Sequence, residues 1–323
     1  MRTASSIALL ATLVGALVMS LQFGEGASSD GNGGRRRRHP VDPPFVIFRT
    51  LAPPEAHGRV ALMPLDPGGA RELTNLSCVR VHYAGGRGLC IVQEAQGHAS
   101  LYTAYVFDRA LTRGRRIDLN GVPTRVRVAP NGRRAAITTY FEEESPAGER
   151  LASDSIVVDL RAGRVIADLR EFRIETDDLP APAGPIDFGG LSFERDGDRF
   201  FGSISTATER YLVAGSIDDR RMTTLRGGVA AESLSPDGRR LLVKKLRPHG
   251  FWQLAVIDLQ TWSEHDLRQG PRSVDDQVEW LDNEHVMYHD ADEAGTSLWM
   301  LPIDGVDGPR VFVKDAYSGS VQR

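Results

Sequence analysis

"LSPDGRRLLV" at 234–243 compresses a strand, a tight turn and a second strand into ten residues, and worn copies recur as "VAPNGRRAAI" (128–137) and "FERDGDRFFG" (193–202). Pro-Asp-Gly between two hydrophobic runs is hairpin chemistry: proline presets φ, aspartate caps nearby N–H groups, and glycine takes a positive φ. A second marker accompanies it. Apolar runs ending in aspartate fall at Asp66, Asp108, Asp159, Asp218, Asp258 and Asp304, at intervals of 42, 51, 59, 40 and 46 residues. After each aspartate a short linker leads into another strand, as in "ARELT", "RRIDL" and "WSEHDL".

Six markers imply six units. Each reads as four short strands with no useful run of 3.6-residue periodicity; in the fifth unit they are 231–236, 239–247, 251–259 and 262–267. A period of 40 to 50 residues with four strands per repeat, lengthened by insertions in the 51- and 59-residue intervals, predicts an all-β, six-bladed β-propeller with four-stranded blades. The ends of the chain support this count. The first unit has only three strands, near 44–51, 58–66 and 70–74, while "SGSVQR" (318–323) is an orphan strand at the chain end. Pairing the orphan with those three closes the ring and removes both open edges.

The spacing and the residues of "LSPDGRRLLVKK…FWQLAVIDLQTWSEHDL" closely resemble the WD-like repeats of TolB-type six-bladed propellers. The resemblance covers 44–323, strongest in unit five and weakest in units two ("VHYAGGRGLC") and six ("EWLDNEHVMY"). TolB carries an additional N-terminal α/β domain, and the expectation here is a propeller without it. The resemblance implies periplasmic scaffolds, peptidase gating domains or pectin-degrading lyases, so it speaks to fold more than to function.

Ahead of the repeats, "ASSIALLATLVGALVMSLQF" follows Arg2, which gives 1–27 the pattern of a signal peptide. At about twenty residues it is also long enough to serve as a retained anchor. Residues 28–43 form a linker with a four-arginine run, read as a solvated tether or as an electrostatic patch for anionic lipid or cell-wall polymer. The 323-residue chain has a formal net charge of −4, and lysine occurs only at 244, 245 and 314. No basic excess points to nucleic acid. The expected setting is the secreted or cell-envelope space of a bacterium, where a Cys78–Cys90 disulfide is permissible; a free buried pair is the alternative.

Candidate partner-binding residues sit in the irregular segments. "YFEEESPAGERLASD" (140–154) reads as a long loop with Glu142, Glu143 and Glu144, and "EFRIETDDLPAPAGPIDF" (171–188) as another with Glu175, Asp177 and Asp178. "KKLRPHGFW" adds Arg247 and His249, a cation and aromatic set fit for an acidic partner or a sugar. Each has a plainer reading as solvated loop or strand start. "HDADEAG" offers Asp290, Asp292 and Glu293 as a weak oxygen-ligand set for Ca²⁺. His285 and His289, four apart on a strand, lie about 13 Å from each other and read as ordinary strand positions. Trp252, Trp262, Trp280 and Trp299 are expected between blades.

No Gly-x-Ser-x-Gly, His-Glu-x-x-His, phosphate loop or Cys-x-x-Cys occurs, and no catalytic residue or cofactor is nominated. The leading expectation is an exported, monomeric, non-catalytic propeller that binds a protein or cell-envelope partner through its loop-rich face, touching membrane only through an uncleaved N-terminus. The alternative is an extracytoplasmic lyase or hydrolase at the channel mouth, with a divalent metal.

Overall fold

The computed structural model describes residues 41–323 except 66–68, 97–98, 146–147, 177–178 and 294; the side chains of 95–100, 145 and 231–232 are also left out. The apolar stretch 4–23 and the arginine run lie outside the described residues. The described part belongs to one compact unit, Arg37–Arg323.

Six sheets make the ring. Blade 1 contains β1 (Phe45–Thr50), β2 (Arg59–Pro64) and β3 (Glu72–Ser77); blade 2 contains β4 (Arg80–Ala84), β5 (Arg87–Gln96), β6 (Ala99–Asp108) and β7 (Arg113–Leu119). Blade 3 is β8 (Val122–Val128), β9 (Arg134–Ser145), β10 (Gly148–Asp159) and β11 (Arg164–Asp168). Next come β12 (Arg173–Thr176) and blade 4, β13 (Asp187–Phe193), β14 (Arg199–Ser205), β15 (Arg210–Ser216) and β16 (Arg221–Gly227). Blade 5 is β17 (Ala230–Leu234), β18 (Arg240–Arg247), β19 (Phe251–Asp258) and β20 (Glu264–Asp266). Blade 6 is β21 (Val278–Trp280), β22 (His285–Asp292), β23 (Gly295–Pro302) and β24 (Arg310–Val313). The last strand, β25 (Ala316–Gln322), returns to blade 1 as its innermost strand, in the order β25-β1-β2-β3. The closure expected from the two chain ends is present, with Val46 opposite Val321.

Blades pack face to face, which explains why strands such as β1, β18 and β19 carry continuous apolar runs, while outer strands such as β3 alternate. In "FVIF" of β1, Phe45 and Ile47 pack toward blade 2 with Val81, Tyr83 and Phe107. Val46 and Phe48 pack toward blade 6 with Met287, Leu298 and Val313. One apolar cluster fills each of the six inter-blade seams in this way. Trp280 is buried in the blade 5–6 seam and its indole N–H donates to the Ser233 carbonyl, 2.8 Å. Trp262 departs from expectation. It sits in the β19–β20 turn at φ +56°, 44% exposed, because the turn lies beyond the seam.

Of the two segments read as loops, 140–154 is a strand pair and 171–188 contains one added strand, Arg173–Thr176, ahead of a loop at 179–186. β9 and β10 pair without interruption from Arg134↔Asp159 to Ser145↔Gly148, so Glu142, Glu143 and Glu144 lie on a hairpin arm. Local preference weighs against strand for a glutamate run, but the ladder to 148–152 overrides it. Glu175 is in β12, which adds to the outer edge of blade 4 in parallel with β16. Blade 4 therefore has five strands rather than four. The added strand pairs with an edge that would otherwise be open.

Candidate functional site

The innermost strands line a channel that is bridged across its middle. Blades 3 and 6 face each other on opposite sides of the ring, and the side-chain amide of Gln277 clamps the backbone of Val126, accepting from its N–H (3.0 Å) and donating to its carbonyl (2.9 Å). Two ionic layers flank this clamp. In one, Asp276 accepts from Arg80 (2.7 Å), Arg125 (3.2 Å) and the Tyr317 hydroxyl (2.6 Å), with His289 Nε2 at 3.5 Å. In the other, Arg127 pairs with Glu279, donates to Ser233 Oγ at 3.1 Å and reaches the Val278 carbonyl at 3.0 Å.

These groups are held in fixed charge states. Burial works against ionising Glu279, but Arg127 and His82 outweigh it and hold the carboxyl down at about 2. Asp276 is likewise opposed by burial and still driven well below the usual carboxylate range by Arg80, Arg125 and His289. His82 and His289 go the other way: burial lowers both, and the facing carboxylates recover only part. His82 Nδ1 accepts from the Val128 N–H (3.2 Å), so a neutral ring carries its proton on Nε2, 3.5 Å from Glu279. The contact is that of a neutral imidazole with a carboxylate rather than an ion pair.

At one end of the channel the turns between innermost and second strands interlock into a collar. In "SPDG", Gly238 N–H closes the turn on the Ser235 carbonyl (2.9 Å), while the Asp237 carboxylate accepts from Ser235 Oγ and from Arg239 N–H. The Asp237 N–H then donates to Asn283 of blade 6 (3.2 Å), and Arg195 of blade 4 donates to the Pro236 carbonyl (2.8 Å). Asn131 of blade 3 bonds the Asp196 carbonyl of blade 4 at 2.5 Å. Between blades 2 and 3, Gly85 (φ +56°) approaches so closely that a Cβ there would lie 2.4 Å from Gly132 N. The collar surrounds a cavity of 740 Å³ whose floor includes His82, Arg127 and Glu279.

The opposite end carries the β9–β10 finger. Beyond Val122↔Tyr140, where β8 begins, five further residues of β9 extend to Ser145, about 17 Å at strand rise. Val122 (51%), Tyr140 (43%) and Leu151 (64%) are exposed, and Glu142 and Glu144 point to solvent. Arg150 anchors the finger, bonding Glu143 at 2.8 Å and Asp187 of blade 4 at 3.0 Å.

The other sequence candidates are dispersed. Arg247 pairs with Asp266 on the flank of blade 5, and His249 is exposed in the Pro248–Gly250 turn at φ +63°. Asp177 and Asp178 lie outside the described residues. Asp290 pairs with Arg272 at 3.1 Å, Asp292 ends β22 and Glu293 is exposed. Among the described residues no three His, Cys, Asp or Glu side chains gather as a metal-binding group. Cys78 and Cys90 are joined in a disulfide, tying the blade 1–2 connection to β5. The channel cluster went unnoticed in the sequence, including His289, which sits with its ring 4.2 Å from that of Tyr317. The available signal was charged residues on innermost strands, where apolar ones are the norm.

No family model matches the sequence. No curated protein matches it either. Solved structures do. TolB from Acinetobacter baumannii is similar at TM-score 0.61 and 14% identity, over 87% of this chain and 67% of that one. A putative TolB from Agrobacterium tumefaciens gives TM-score 0.50 at 14% identity, over 84% and 89% of the two chains. A chain of a nidogen/laminin complex gives 0.52 at 9% identity, over 86% and 97%. The described chain has the six-bladed β-propeller fold of the TolB-like proteins.

Proposed function

We propose that this chain is an extracytoplasmic, non-catalytic scaffold that binds a protein or cell-envelope partner through the end of the ring bearing the β9–β10 finger. The observation that carries this reading is the finger itself. It sets exposed Val122, Tyr140 and Leu151 beside Glu142 and Glu144 on an arm braced by Arg150. Apolar side chains edged by charge, on a rigid support, are the makings of a protein contact surface. In the channel, by contrast, Asp276 and Glu279 are committed to ion pairs and held ionised far below the near-neutral range that acid–base catalysis uses.

The Cys78–Cys90 bond supports an oxidising compartment, in keeping with the apolar N-terminal stretch. No helix among the described residues is long and apolar enough to cross a membrane. One of the similar structures is of a nidogen/laminin complex, so a ring of this fold takes part in a protein assembly there.

Photo-crosslinking in cells tests the reading. A benzophenone side chain at Leu151 is expected to give discrete adducts with an envelope component, and one at Val306, in the turn between β23 and β24, none. Identical adducts from both positions, or none from Leu151, would overturn it.

A further inference from the structure

The 740 Å³ cavity on the collar side stands apart from the finger, at the other end of the channel. Its walls are preformed: the turns that rim it are hydrogen-bonded to one another across three blade junctions. A cavity of this size, with some apolar wall and convergent polar groups, has the dimensions of a small-molecule site.

Its chemistry narrows what would enter. Among the described lining residues four arginines (127, 195, 199 and 323) meet four carboxylates (Glu194, Asp196, Asp237 and Glu279). Arg127 is paired with Glu279, and Arg199 with Glu194 at 2.8 Å and Asp196 at 2.9 Å, while Arg195 and Arg323 donate to the Pro236 and Trp280 carbonyls and Asp237 caps its own turn. A net anion or cation would bring a buried charge without a counter-charge of its own. A hydroxyl avoids that cost, since it donates to a carboxylate and accepts from a guanidinium.

Two atoms at the cavity ask for both kinds of bond. Among the described residues the buried His82 Nε2 has only the Glu279 carboxylate, 3.5 Å away, and Gln322 Oε1 has no hydrogen-bond partner. The first is a donor, because Nδ1 already accepts from Val128; the second is an acceptor, because the Gln322 amide nitrogen already donates to the Arg323 carbonyl. Both residues line the cavity, and buried polar atoms left unmatched are costly. Half-buried Phe201, Leu234 and Leu259 supply an apolar wall that suits the C–H face of a sugar ring.

We infer that the collar cavity is a binding site for a neutral, hydroxyl-rich ligand of the saccharide class. Isothermal titration of the intact protein tests this, with maltotriose and tri-N-acetylchitotriose as neutral probes and glucose 6-phosphate and glucosamine as charged ones. Saturable binding of at least one neutral probe, and tighter binding than of either charged one, is the expected result. Phe201→Ala and Gln322→Leu should each weaken it by about ten-fold, while Leu151→Ala, on the finger, leaves it unchanged. Thermal unfolding of each variant is measured alongside. Gln322 lies on a half-exposed terminal position, so its variant remains informative if Phe201→Ala fails to fold. Absence of binding by both neutral probes, preference for a charged probe, or full binding by Gln322→Leu overturns the inference.

Discussion

Arg127 and Glu279 are 152 residues apart in sequence and meet across the channel, both nearly buried. Arg127→Ala leaves the Glu279 carboxylate buried without its main partner, and urea unfolding should show a loss of about 3–5 kcal/mol. Replacing both, as Arg127→Met with Glu279→Leu, should recover most of that loss, because an apolar pair removes the unmatched charge as well. The histidines add a pH dependence. His82 and His289 have lowered folded-state values, so the unfolded chain binds their protons first. Stability should therefore fall as pH drops below about 6.5, and further below about 4.5 as the unfolded forms of Glu279 and Asp276 take up protons. Melting temperatures from pH 8 to 4 would show both phases, and His82→Gln should shrink the first. No local pattern announces these pairs. Arg127 sits in "RVRV", which reads as an ordinary strand, and its partner is placed only by closing the ring.

Among the elements, blade count and closure were legible because they rest on local chemistry: a turn after each innermost strand and a strand missing at one end but present at the other. The finger and β12 were not. Glutamates at 142–144 favour solvent, and only the ladder to Gly148–Ala152 makes them strand. β12 pairs in parallel with residues 48 positions later, a partner no hairpin rule can locate. The disulfide stood as one of two open alternatives, since one step of register decides whether two cysteines face each other. Cys78 and Cys90 come within 5.3 Å, Cα to Cα. Replacing both with alanine should cost about 2–4 kcal/mol in denaturant unfolding, and reductant should add nothing further to that variant.

At the scale of the whole molecule, six seams of apolar packing hold the ring, and the join between β1 and β25 is the pairing that closes it. Removing residues 317–323 would strip the innermost strand from blade 1, expose the β1 edge and delete Tyr317 from the Asp276 cluster. The shortened chain should lose its cooperative melting transition and aggregate, as followed by circular dichroism and light scattering. The same join sets an order of events during synthesis. β1, β2 and β3 are among the first strands of the fold to emerge, yet their sheet lacks its inner member until β25 (Ala316–Gln322) has been made. While the other five blades are being made, blade 1 is a sheet with a bare edge, and such edges recruit neighbouring chains. A nascent chain of this kind gains from staying unfolded until β25 has been made and has joined β1.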